Sequence, residues 1–175
     1  MSTAGPHGAA LAAIRNAEGP RDVALARALF EEYAAWLDED LCFQGFADEL
    51  AALPGDYAPP AGRLLLAGVH GDAFGCIALR PLGGSDNARG PVAEVKRLYV
   101  QPRARNQGWG RRLASTIVDE ARAIGYGELK LDTLARMTAA VGLYRSLGFV
   151  ESAPYYHNPL GSPVYMTLAL LRDPR

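Results

Sequence analysis

The sequence has no excess of positive charge: 18 Lys and Arg stand against 19 Asp and Glu, for a formal net charge of -1. A chain that grips a phosphate backbone without sequence preference carries a basic surplus, so nucleic-acid binding is not expected. There is no apolar run near the ~20 residues that a bilayer span needs, and no membrane association is expected. Residues 1–10 lack a basic flank followed by an apolar stretch. No secretory signal is therefore expected, and the expected location is cytoplasmic. Cysteine is scarce: Cys42 and Cys76 are the only two. Isolated in this way they read as reduced thiols, each a small buried apolar residue. No His, Cys or carboxylate pair has metal-ligand spacing, so no metal is expected. Internal repeats and shifts of composition that would mark a second domain are also absent.

What is present fits one core. The 175 residues are 49% hydrophobic, enough for a single domain over 11–175 preceded by a loose tail over 1–10. A short strand is expected over 11–15. Val23, Ala26, Leu29, Phe30, Tyr33 and Leu37 recur at helical spacing after Pro20, and a second helix is expected over 47–53. A proline-rich loop over 55–62 leads into a hairpin, with strands over 63–69 and 73–80 around His70, Gly71 and Asp72. A glycine-rich turn covers 83–90. Then come a strand over 92–100, a helix over 108–124, a strand over 128–133, a helix over 137–147, a further strand after Gly148 and Phe149, and a closing strand over 164–170. This order describes a single α/β domain with a mixed, mostly antiparallel twisted sheet of about seven strands, flanked by about four helices on both faces.

The most informative stretch lies between the strand ending at Val100 and the helix beginning near Gly108. Gly108 and Gly110 let backbone approach a bulky anion, since neither carries a side chain to block it. Successive unpaired N–H groups at a helix start, with the helix dipole behind them, form an anion site. Arg105, Arg111 and Arg112 add positive charge beside it. The third glycine of a dinucleotide fingerprint is missing, with Leu113 in its place, and no Gly-Lys-Ser/Thr follows as in a nucleotide-triphosphate loop. Alone, the turn indicates an anion site and nothing more.

Its context says more. Val100, Pro102, Arg105, Gly108, Gly110 and Leu113 are spaced as in the GNAT acetyltransferases, whose R/Q-x-x-G-x-G/A turn holds the pyrophosphate of coenzyme A. Ala140, Leu143, Tyr144, Gly148 and Phe149 resemble the same superfamily's A-x-x-L-Y-x-x-x-G-F helix. The resemblance implies acetyl-CoA as co-substrate, held by Arg105, Asn106, Gln107, Gly108, Trp109, Gly110 and Arg111 at the phosphates. It implies that Leu98, Tyr99 and Val100 pair with pantetheine where their strand splays from its neighbour. The family often has Asn three residues before the helix alanine, where this chain has Met137; that contact to pantetheine is missing here.

The resemblance also implies N-acetyl transfer to a primary amine of a small molecule or protein by direct attack. Tyr144 matches the family tyrosine that protonates the leaving thiolate. Glu94 stands where several members carry a glutamate base, and partial burial is expected to raise its pKa. It equally suits a structural glutamate paired with Lys96 or Arg97, or one that binds the acceptor's ammonium without taking its proton. In such proteins the acceptor enters near the first two helices and the loop before the last strand. Phe43, Tyr155, Tyr156 and His157 are the candidates there, with Phe46 and the acidic run Asp38, Glu39 and Asp40 nearby; the run reads better as a solvated helix end. Trp36 reads as packing. Trp109 either covers the turn or faces solvent. An inactive acyl-CoA-binding module and a longer acyl donor stay open, and so does a homodimer, common among similar proteins.

Overall fold

The structure, a computed structural model, describes residues 11–83 and 89–170. The expected tail over 1–10 and most of the turn over 83–90 lie outside the described residues. Seven strands form one sheet: β1 (Ala13–Asn16), β2 (Arg63–Gly68), β3 (Gly75–Pro81), β4 (Val92–Val100), β5 (Glu128–Leu134), β6 (Val150–Glu151) and β7 (Pro163–Ala169). Four helices accompany them: α1 (Gly19–Leu37), α2 (Phe46–Ala52), α3 (Trp109–Ile124) and α4 (Thr138–Ser146). The strand order is β1-β2-β3-β4-β5-β7-β6. Among the described residues β4–β5 is the one parallel pair and the others are antiparallel.

Helix α1 begins with Pro20 in its first turn, where a missing N–H does no harm, and Asp22 Oδ2 accepts from the Glu18 amide at 3.0 Å. It ends at Asp38 in the left-handed conformation, φ 53°. Its buried residues Ala26, Leu29 and Phe30 join Leu64, Leu66, Cys76 and Ala78 on one face of the sheet. Helix α3 lines the opposite face with Leu113, Ala114, Ile117, Val118 and Ala121. The stripe recurs at helical spacing, and burying each large aliphatic member stabilises by about 2 kcal/mol.

Two irregularities in β4 create the space for a site. Cys76 pairs with Tyr99 and Ala78 with Lys96, so Ile77 faces both Arg97 and Leu98. This is a β-bulge, with Arg97 in the left-handed region at φ 61°. On the other side β4 meets β5 only over Val92–Glu94 against Glu128–Lys130. Beyond these three pairs the strands part, and the wedge between them opens toward α4.

Candidate active site

The turn after β4 is arranged around its backbone. Asn106 and Gly108 both have positive φ, 61° and 80°. Two left-handed residues so close together turn successive amides to the same side. Among the described residues the amides of 106–111 donate to no other group; the first bond of the helix is Arg112 N to Gly108 O at 3.1 Å. A Cβ on Gly108 would meet nothing within 4 Å, and one on Gly110 only Leu143 Cδ2 at 3.9 Å. The space in front of both glycines is therefore open to a ligand. Six free amides at the head of a 16-residue helix fit a pyrophosphate.

Arg105 does not point its charge straight at that cradle. Its Nε donates to Val100 O at 2.9 Å, and its guanidinium lies over the rings of Trp36 at 4.9 Å and Tyr99 at 5.7 Å. Arg111 reaches Ser146 Oγ at 2.9 Å, tying α3 to α4. Trp109 is buried, edge-on to Phe74 at 5.0 Å and under Arg112 at 4.0 Å. That decides between the two placements read from the sequence: Trp109 anchors the helix start and does not face solvent.

Two cavities occupy the wedge. The first runs past Trp36, Leu98, Tyr99, Val100 and Arg105 toward Arg136 and Thr138. The second, about 60 Å³, is walled by Tyr33, Leu37, Lys96, Asp132, Tyr144 and Asn158. Leu98, Met137 and Ala140 line both. A molecule lying along the first therefore ends at these three residues, beside the second, with Tyr144 one helical turn beyond Ala140. Tyr144 is buried edge-on against Phe149 at 5.4 Å. Its hydroxyl makes no hydrogen bond among the described residues. Burial above all, then Tyr33 and the Asp132 carboxylate, pushes its pKa up, so it holds its proton at neutral pH.

Residues 23–149 match the acetyltransferase (GNAT) family. The chain belongs to the GNAT acetyltransferase family. An uncharacterised N-acetyltransferase of Schizosaccharomyces pombe is 41% identical over 152 residues, covering 86% of this chain and 90% of that one. Among solved structures, an acetyltransferase of Streptococcus agalactiae aligns with TM-score 0.70 at 20% identity, over 91% of this chain and 98% of the other. A Salmonella typhimurium acetyltransferase determined with its cofactor acetyl-CoA aligns with TM-score 0.64 at 23% identity, over 93% of this chain and 95% of that chain. As a GNAT acetyltransferase the chain is an acyl-CoA N-acyltransferase.

The acetyltransferase departs from the sequence expectations at several residues. Glu94 is 1% exposed and does not line either cavity of the wedge. Its Oε2 accepts from Arg80 Nε at 2.8 Å, with Nη2 at 2.7 Å, and its Oε1 accepts from the Tyr155 hydroxyl at 2.8 Å. Burial works to raise its pKa, but Lys96, Arg80 and the Tyr155 hydrogen bond together outweigh it and hold the carboxyl below its usual range. The expected rise is thus reversed, because burial came with two cations. Lys96, 6% exposed, shows the opposite balance: burial lowers its pKa and Glu94, at 3.6 Å, only partly restores it.

The acceptor candidates divide. Tyr155 and Tyr156 bond to Glu94 and Asp132 but line neither cavity of the wedge; with the exposed His157 they border a separate, more open pocket. Phe43 packs with Leu37, Leu41 and Leu134 behind the cavity and does not line it. Asp40 Oδ1 accepts from the Cys42 amide at 2.8 Å and Glu39 pairs with Arg136 at 2.9 Å. Cys42 is exposed, against expectation, since that bond starts a 3-10 turn outside the core; Cys76 is buried as expected. Trp36 is 47% exposed and lines the first cavity, where the sequence read it as packing. Asp132 and Lys96 line the second cavity; Lys96 pairs with Glu94 as one of the sequence readings had it, whereas Asp132 was unassigned. No group of three His, Cys, Asp or Glu able to hold a metal is found among the described residues.

Proposed function

We propose that this enzyme transfers the acetyl group of acetyl-CoA to a primary amine of a small molecule or protein by direct attack. The observation that carries the reading is the meeting of two cavities at Leu98, Met137 and Ala140, with free amides at one end and Tyr144 at the other. The amides of 106–111 hold the pyrophosphate. Leu98, Tyr99 and Val100, on the part of β4 that β5 leaves, pair with the pantetheine arm. Arg105 braces this edge from Val100 O and, with Trp36, closes one side of the channel.

When bound, acetyl-CoA supplies an activated acyl carbon beside the second cavity. The acceptor nitrogen forms the new C–N bond and the C–S bond breaks. Tyr144 gives its proton to the departing sulfur and is restored by a proton from the acylated nitrogen. A backbone N–H of the splayed strand stabilises charge on the carbonyl oxygen. Glu94 serves as a fixed anion that holds Arg80, Lys96 and Tyr155 in place, not as the base.

Calorimetry with acetyl-CoA, paired with thiol release over a panel of amines, tests the reading. Binding in the micromolar range with amine-dependent thiol release is expected; no heat at millimolar acetyl-CoA would remove it.

A further inference from the structure

With Glu94 enclosed by Arg80 and Tyr155, the cavity still contains one carboxylate placed to meet an amine. Asp132 is half-buried on β5 and lines the second cavity together with Tyr144 and Leu98. Only one of its oxygens is engaged. Oδ2 accepts from the Tyr156 hydroxyl at 2.6 Å and from Asn158 Nδ2 at 2.8 Å. Oδ1 has no partner among the described residues.

The two donors are themselves fixed. Tyr156 also accepts from Gln44 Nε2 at 3.0 Å, and Asn158 is buried, its amide bonded to Tyr165 Oη at 3.1 Å and its Oδ1 accepting from the Leu160 amide at 2.9 Å. A carboxylate held by one oxygen and open at the other is oriented and ready to accept. Lys96 feels its charge but is bonded elsewhere. Lys96 Nζ donates to Gln44 Oε1 at 3.2 Å and pairs with Glu94 at 3.6 Å, and no ion pair joins it to Asp132 among the described residues.

We propose that Asp132 binds the ammonium of the acceptor through Oδ1 and takes the proton that the nitrogen must lose before it attacks. This assignment rests on the acetyl-transfer reading above. An ammonium gives one proton to Asp132, which passes it to solvent, and the neutral nitrogen bonds the acyl carbon. The C–S bond breaks, and Tyr144 carries the second nitrogen proton to sulfur by exchange. Amide, thiol and one released proton balance the reaction. Lys96 and Arg97 face the same carboxylate from β4, Tyr33 from α1 and Tyr144 from α4, with Glu94 and Tyr155 behind the Tyr156 loop.

The test uses acetyl-CoA with glycine, putrescine, kanamycin and a tripeptide with a free N-terminus, following thiol release from pH 6 to 10 with the best acceptor of the four. Asp132→Asn keeps the shape and an oxygen for Tyr156. It is expected to lower kcat/KM about 100-fold at neutral pH, with recovery as rising pH supplies neutral amine, while acetyl-CoA affinity holds. Calorimetry of the same amine with coenzyme A present should show weaker amine binding in the variant, and Asp132→Glu should recover part of both losses. A variant within about threefold of wild type at every pH, with unchanged amine binding, overturns the assignment and leaves the acetyl-transfer reading standing. If the wild-type chain binds acetyl-CoA but acetylates none of the four amines, the transfer reading fails and the assignment falls with it.

Discussion

Arg80 Nη2 lies 2.7 Å from Glu94 Oε2, across a register pair of β3 and β4. Tyr155 and Lys96 complete the cage around the carboxylate. A base must be free to take up a proton, and this group has no free oxygen. Glu94→Gln should therefore act on stability more than on chemistry. A loss of about 3 kcal/mol is expected, because Arg80 and Lys96 would be left without their anion. Urea denaturation and steady-state rates on the same preparation separate the two effects. A large fall in kcat with unchanged stability would return the proton-transfer role to Glu94.

Acid should expose the same ion pairs. Glu94 and Glu49 both have pKa values held below the ordinary 4.5, Glu94 by Lys96 and Arg80 against its burial, Glu49 by Arg97 against its own. A carboxyl whose folded pKa is depressed binds fewer protons when folded than when unfolded. Its contribution is fully present above the unfolded value and is lost as pH falls through the folded one. Melting temperature is expected to be level above about pH 5.5 and to drop steeply below 4.5, with Glu49→Gln and Glu94→Gln each flattening the drop. An unaltered acid limb in both variants would mean that other groups set it.

Tyr144→Phe removes only the hydroxyl that opens on the second cavity. Turnover should fall by about 100-fold while acetyl-CoA binds as before, since the ring keeps its edge contact with Phe149. Equal loss of affinity would instead identify the tyrosine as a binding residue.

The glycine turn can be tested by filling it. Gly110→Val should fold normally, because a Cβ there meets only Leu143 at 3.9 Å. The added methyls occupy the cradle, so acetyl-CoA affinity is expected to drop more than about tenfold. Gly108→Ala differs in kind. At φ 80° it carries a backbone penalty of about 1 kcal/mol and should lower stability as well.

Trp36 offers an optical signal. Of the two tryptophans, Trp109 is packed away and Trp36 is open to the first cavity. Titration with acetyl-CoA should change the intrinsic fluorescence, and Trp36→Phe should abolish most of the change. A response that survives in Trp36→Phe would place the reporter at Trp109.

Much of this was legible in the sequence. The element order, the seven strands and the helix faces followed from periodicity and turn residues, with small errors at the ends: β3 starts at Gly75, not at 73, and Gly108 caps α3 instead of opening it. The turn with free amides ahead of α3 followed from its two glycines. What could not be read was partnership across the sheet. Arg80 and Glu94 are brought together by the β3–β4 register, and Asp132 and Tyr156 by a loop folding back over β5. Local sequence does not encode those distances, so it gave Glu94 a rising pKa and overlooked Asp132. The bulge escaped for a related reason. Arg97 has no intrinsic preference for φ 61° and is kept there by Glu49 at 2.6 Å, Gln44 at 3.0 Å and the Phe46 ring at 5.0 Å.

The parting of β4 from β5 after three residue pairs has a consequence for how such an enzyme diversifies. One bank of the opening presents main-chain groups, which are the same whatever amino acids carry them. The opposite bank is furnished by side chains of α1, the Gln44 turn, β5 and the tyrosine loop. Substitution can redraw the second bank freely while the first stays fixed. A lineage of such chains can therefore exchange one recipient for another without relearning how to hold the donor.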